Sequence, residues 1–429
     1  MRRRRAGLLA AAGLLLPGAA ASDPGLSYQV TLSEAEPGVA EFELRRPPPG
    51  AVLVAARDGD AAAIAAPRCG ETAVPAAAGR WTVPAGCAAL RWRVRLADQD
   101  GGVDASVPPS SWSARHRFWF LAERHGWLRP ADGPGGGHVT IRLRRRDGQV
   151  VERLQAFPSN DEPPFYAVVG FTPARVYSRD GFRLEVFGGA PDFPWMDGIH
   201  DSVLATWARW RRDLVPAGIA TLSEMALAWL PPPPGAEPGY GGSAGGAAIG
   251  VQIVLREGDP NAEAKARAVI GAGAAHEGFH SITGAGAQAW PAWANESLAN
   301  HFAIEAARAF LDPADFVWVR RFYVEPRMAG GLLAAQAAYA AGDGDQRYQF
   351  YTKGARFWAA IERVLTSPPN GSGRLAALIR SSNNFAGVNL NDGAALAAFL
   401  DRHSGGAAGP LVDCFLVRPN CDAPEAPGA

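Results

Sequence analysis

The stretch that most constrains this chain is His276-Glu277-Gly278-Phe279-His280. Two histidines four residues apart lie one above the other on a helix, so both imidazoles reach a single ion when the segment is helical. The preceding residues support that requirement. Residues 262–270 interleave alanine with Glu263, Lys265 and Arg267, all good helix formers, and Asn261 stands after Pro260 at the expected N-cap. Glu277 falls between the two histidines and faces the same space, where a carboxylate can take a proton from an ion-activated water.

A catalytic zinc site uses three protein ligands and keeps one position open. Residues 293–305 read as a second helix beginning just past Pro291, and they carry Glu296 sixteen residues after His280. The Gly- and Ala-rich residues 283–289 read as a connector that lets this helix fold back on the first. A pattern with Gly at 283 and His at 286 would supply a third histidine, but those positions are Thr283 and Gly286. The candidate ligands for one Zn²⁺ are therefore His276, His280 and Glu296.

With Asn295-Glu296 downstream of His276-Glu277-x-x-His280, the chain resembles the gluzincin metallopeptidases, the group that holds thermolysin, the aminopeptidase N family and the glycyl aminopeptidase family. Tyr351-Thr352-Lys353-Gly354, 55 residues after Glu296, is similar to the Tyr-x-Lys-Gly of the last two families. The resemblance covers roughly residues 194–400. It implies a thermolysin-like catalytic domain with a small β-lobe and a mostly helical lobe, and a peptide or protein substrate. Glu277 would be its general base and Tyr351 a donor to the oxyanion of the tetrahedral intermediate. Asn300, four residues after Glu296, stands where thermolysin-like enzymes carry an aspartate that orients a zinc histidine, so the resemblance implies a neutral version of that contact. His301 lies off the face of Glu296 and reads as a packing residue.

Two departures accompany the likeness. Aminopeptidases of this kind keep a glutamate near residues 240–246 to hold the substrate's free amine, and this glycine-alanine stretch has none. Glu224 and Glu237 lie upstream and could in principle substitute, though the sequence does not place them. The glycyl aminopeptidases append a PDZ domain after the catalytic region, and residues 406–429 leave no room for one.

At the other end, Met1-Arg2-Arg3-Arg4-Arg5, the apolar residues 6–16 and Ala19-Ala20-Ala21 read as a secretory signal, residues 1–21, too short for a comfortable membrane span, with an uncleaved N-terminal anchor as the alternative. An exported chain, periplasmic or secreted, follows from it, with no stable membrane span after cleavage. Removing the signal changes the formal charge from zero (42 minus 42) to minus four (38 minus 42), and neither figure points to a nucleic-acid partner. Four cysteines fall into two local pairs, Cys69 with Cys87 and Cys414 with Cys421, which in an oxidising compartment read as two disulfides.

Residues 22–194 carry short alternating runs separated by Pro and Gly, such as 26–32, 89–96, 139–143 and 182–187, the pattern of an antiparallel, sandwich-like β-domain. Trp112, Phe118, Trp119, Phe120 and Trp127 read as its core rather than a ligand platform. Residues 195–405 form the expected catalytic domain. Within it 195–214 has helical periodicity, 221–230 and 249–255 read as strands, 240–246 as a flexible loop, and 314–323, 332–340, 351–365, 375–381 and 394–403 as helices. The class is thus α+β, with a C-terminal tail at 406–429 tied by its disulfide loop. The reading is an exported zinc metallopeptidase that hydrolyses peptide bonds with a metal-activated water. A catalytically degenerate zinc-containing binding or assembly protein on the same fold stays open, as do an accidental motif and a different hydrolase chemistry on the same zinc.

Overall fold

A computed structural model of the chain describes residues 25–418 apart from 133–134, 159–163, 190–192, 217–221, 288–289, 325–329 and 368–372. The signal expected at 1–21 and Cys421 of the second expected disulfide lie outside the described residues.

The first half is built from alternation. Strands Leu26–Ser33, Val39–Arg45, Ala89–Arg95 and Gly137–Arg144 bury every second side chain: Tyr28, Val30 and Leu32, then Phe42, Trp92 and Ile141. Their other face is charged and pairs across strands, Arg91 with Glu43 at 2.7 Å and Arg142 with Glu152 at 2.7 Å. Two four-stranded sheets close over the buried face, and Trp119 and Trp127 fill the space between. Of the aromatic residues expected in the core, Phe118, Trp119, Phe120 and Trp127 are fully buried. Cys69 and Cys87 are disulfide-bonded, tying the short strand Arg68–Cys69 to the turn before Ala89–Arg95. The seven-stranded sheet is not wholly antiparallel, because Leu26–Ser33 runs parallel to Gly137–Arg144. A parallel neighbour needs a long crossover, and the hundred or so residues between these strands, which build the other sheets, supply one.

The second half is a five-stranded sheet against helices. Strands Arg175–Arg179 and Phe182–Gly188, both before residue 195, are hydrogen-bonded into this sheet beside Glu224–Trp229, followed by Ala248–Val254 and the edge strand Gly239–Gly245. Residues 239–245 are thus a strand and not the flexible loop that their glycines suggest. Glycine is required there, since a Cβ on Gly245 would lie 1.7 Å from the Pro164 carbonyl oxygen.

Helix α1 (Asp197–Asp213) buries Ile199, Val203, Trp207 and Trp210, one stripe of its surface. Helix α2 (Ala262–Ala287) is enclosed by α1, by α3 (Ala292–Phe310), by α4 (Pro313–Tyr323) and by the edge strand. The Asn261 carbonyl accepts the first helical bond, from the Lys265 amide at 2.9 Å, as an N-cap residue's does. The helix continues to Ala287, so the connector expected at 283–289 is mostly helix; Thr283, whose hydroxyl donates to the Phe279 carbonyl at 2.7 Å, does not break it. Such enclosure demands small residues. A Cβ on Gly278 would lie 1.9 Å from Nε1 of the fully buried Trp207. Among the described residues no helix is long and apolar enough to cross a membrane.

Gly278→Ala is expected to lower stability by about 1–3 kcal/mol, because a rigid indole must move to admit one methyl. Denaturant unfolding of the chelator-treated protein, followed by tryptophan fluorescence, measures it. A loss below about 0.5 kcal/mol would mean that α1 and α2 separate freely.

Candidate metal centre

The centre is assembled by α2 and α3, packed side by side. His276 is buried and His280 half-buried on one face of α2, as the four-residue spacing requires, and α3 presents Glu296 across from them. His276 Nε2 lies 3.2 Å from Glu296 Oε2 and 3.1 Å from His280 Nε2, and His280 Nε2 lies 3.6 Å from the same carboxylate oxygen. Among the described residues this is the one group of three or more His, Cys, Asp or Glu side chains that can hold a metal ion.

The donor set fits zinc. Three atoms placed 2.0–2.1 Å from a common centre in tetrahedral directions stand about 3.3 Å apart, close to the separations seen. Electrostatics agree. Burial alone would lower His280, yet the Glu296 carboxylate, helped by Glu277, drives it up to about 9. Against the cost of its own burial, Glu296 is held far below the usual carboxylate range by the two histidines. Two imidazoles and a carboxylate in this space call for positive charge at their centre.

Asn295, visible in the sequence only as the neighbour of Glu296, has a role of its own. Its Oδ1 lies 3.2 Å from His280 Nδ1 and fixes the ring so that Nε2 points at the cluster. Asn300 does not make the expected contact with a zinc histidine. Its amide nitrogen instead donates to the backbone carbonyls of Tyr351 and, at 3.3 Å, Tyr323, while its own Oδ1 and His276 Nδ1 are buried without partners. The reason is local: α3 passes beside the turn that carries Tyr351, and the amide takes the carbonyls in reach. His301 is buried and lowered to about 4 by its burial, as fits a packing residue.

That turn explains the Tyr-x-Lys-Gly pattern. Residues Phe350–Gly354 form a π-helical turn, a local widening that re-aims side chains. Gly354 lets it approach α3, since a Cβ there would be 2.4 Å from Ser297 Cβ. Lys353 is buried and donates to the carbonyls of Gly330 and Arg418. Tyr351 is left to face the centre, its ring edge-on to His276 at 5.6 Å. Burial and the carboxylates of Glu296 and Glu277 push its hydroxyl above its ordinary range, so it remains a neutral donor. Tyr323, a second tyrosine unflagged by any motif, is raised in the same way by burial and by Glu277.

A cavity of about 770 Å³ opens beside the centre, and His276, Glu277, Tyr323 and Tyr351 line it together. Neither Glu224 nor Glu237 does; both are exposed. The edge strand Gly239–Gly245 forms part of the wall and carries no carboxylate.

Solved structures share this fold. An aminopeptidase N family protein from Idiomarina loihiensis matches 92% of this chain and 76% of its own at a TM-score of 0.58 and 11% identity. A variant of an M1 zinc metallopeptidase from Deinococcus radiodurans matches 94% of this chain and 97% of its own at a TM-score of 0.52 and 14% identity. An aminopeptidase A from Legionella pneumophila, solved with aspartic acid, matches 92% of this chain and 49% of its own at a TM-score of 0.53 and 11% identity. This chain thus spans about half the length of the Legionella protein. No protein-family model and no curated protein matches the sequence. At such identities the likeness is one of fold, the β-domain followed by a sheet and helices.

Asn295→Ala is expected to weaken zinc binding by about 10–100-fold, whereas Asn300→Ala, which touches neither histidine, leaves the affinity within a few fold. Competition with a chromophoric chelator reads both. Equal losses in the two variants would overturn the assignment of Asn295 as the residue that orients His280.

Proposed function

We propose that this protein is a zinc-dependent metallopeptidase, exported from the cell, with one Zn²⁺ held by His276, His280 and Glu296. The observation that carries the reading is the meeting of that triad with Glu277 and Tyr351 on one cavity. Zn²⁺ at this place would supply Lewis-acid polarisation of a carbonyl and would bring the pKa of a water toward neutrality. Every other role falls to side chains of the chain itself.

Glu277 lines the cavity one residue from a ligand histidine, and among the described residues its carboxylate takes no protein hydrogen bond. It is free to accept the proton of the attacking water and to return it to the nitrogen of the departing amine. The Tyr351 hydroxyl, kept neutral by its surroundings, donates to the carbonyl oxygen as negative charge develops there. Because Asn300 pins the Tyr351 backbone, the donor is in place before the charge appears and needs little reorganisation. The Cys69–Cys87 disulfide supports an oxidising destination, periplasmic or secreted.

A second reading has its own observation. The edge strand lacks a carboxylate for a substrate amine, as it would in a zinc-holding binding or assembly protein that has lost turnover.

Glu277→Gln is expected to keep about one zinc per chain and lose two to four orders of magnitude in kcat, and Tyr351→Phe to lose about 10²–10³. Metal analysis with a peptide-library digest of the zinc-loaded protein checks both. A parent that binds zinc and cleaves nothing would favour the second reading; a Glu277→Gln variant as active as the parent would falsify the mechanism.

A further inference from the structure

The cavity does not end at the metal centre. It extends along α2 toward that helix's first turns, where Arg256, Asp259, Lys265 and Arg321 line it. Lys265 and His276 are eleven residues apart (276 minus 265), just over three turns, so both stand on one face of the helix about 16 Å apart at 1.5 Å per residue. One groove therefore joins the reacting end to a charged far end.

The far end has an excess of positive charge. Asp259 is its one carboxylate, and Lys265 already takes it, Nζ to Oδ2 at 2.5 Å. Arg256 also acts on Asp259, and the cations together hold its carboxyl below the usual range, behind the larger effect of its hydrogen bonds to Lys265 and Asn261. Arg256 and Arg321 have no ion pair among the described residues. Lys265 and Arg321 both lie against the Trp318 ring, at 4.5 and 5.6 Å from its centre, so these two cations flank a half-buried aromatic wall. The platform is firm: α4, which carries Trp318 and Arg321, is clamped to α2 by the Arg267–Asp315 ion pair at 2.6 Å.

We infer that this far end is an anion subsite, which takes a carboxylate of the substrate about five residues from the bond to be cut. The distance follows from 16 Å divided by the rise of about 3.3 Å per residue of an extended peptide. The inference rests on the peptidase reading and adds a substrate class to it: acidic peptides rather than peptides selected by a free amine. A guanidinium fork offers paired donors that match a carboxylate, and the low charge density of the edge strand does not oppose it. The carboxylate comes either from a free C-terminus or from an aspartate or glutamate side chain.

The test uses N-acetylated peptides in which a single carboxylate, either the free C-terminus or one aspartate in a C-amidated chain, is placed two to eight residues from the scissile bond. Two readouts are taken on zinc-loaded protein: kcat/KM for the parent, and calorimetric affinity for Glu277→Gln, which needs no turnover. The expected result is a preference on the order of tenfold over the carboxylate-free peptide, the scale of two partly exposed ion pairs. It should peak near five residues, shrink as salt is raised to 0.5 M, and vanish in the Arg256→Gln/Arg321→Gln variant. The two peptide series identify which carboxylate is read. If the parent cleaves neither these peptides nor their counterparts with a free N-terminal amine while the affinities show the same positional preference, the subsite stands and the peptidase reading fails. Affinities and rates that ignore the carboxylate, or a preference unchanged in the double variant, would overturn the inference.

Discussion

The structure depends on holding together three groups that repel one another when all are deprotonated. His276 Nε2, His280 Nε2 and Glu296 Oε2 direct lone pairs at a common point from 3.1–3.6 Å apart, an arrangement that relaxes unless a cation or proton occupies the centre and the scaffold resists. The raised proton affinity of His280 is the electrostatic sign of this demand. The mechanical resistance comes from close helix contacts. Gly278 admits the Trp207 indole against α2, Gly354 admits the tyrosine turn against Ser297 of α3, and the Ser297 hydroxyl in turn accepts from Trp358 Nε1 at 2.7 Å. Gly278 directly follows Glu277 and Gly354 lies three residues after Tyr351, the places where the backbones come closest.

What was legible in the sequence follows from which forces are local. A helix fixes the relation of residues four apart, so His276 and His280 could be read as ligands of one ion before any fold was known, and Glu277 with them. Alternation along a strand likewise reported the buried faces of the β-domain, since strands such as Val39–Arg45 are solvated on one side only. Helix α2 shows the opposite case. It touches partners on several sides, so small residues replace a clear apolar stripe, and only the metal motif and its helix formers identified it.

What was not legible depends on approach from afar. The strand Gly239–Gly245 resembled a loop because glycine has no strand preference; its pairing with Ala248–Val254 and the closeness of the Pro164 carbonyl make it a strand. The parallel partner of the first strand lies more than a hundred residues away, and no local pattern encodes it. Asn300 was placed on the correct helix face, but the carbonyls of Tyr323 and Tyr351 come from two other elements and claim its amide. Asn295 contacts His280 only because α3 crosses α2 at that height. In each case the residue was visible and its partner was not.

A single helix also sets the electrostatic layout of the cavity. The acidic groups, Glu277 and Glu296, gather at the metal end, and the cations Arg256, Lys265 and Arg321 at the other. Lys265 and His276 share one rigid helix, so their separation is fixed by its rise rather than by the relative placement of two lobes. Arg321 and Tyr323 share α4, which the Arg267–Asp315 pair ties to that same helix. The far end of the cavity and its Tyr323 wall are consequently held by one pair of helices, α2 and α4, while Glu296 comes from α3. A change in how the β-domain sits would leave the distance between Lys265 and the metal ligands unaltered, while any change in the packing of α2 against α4 would disturb the far end and the Tyr323 wall together.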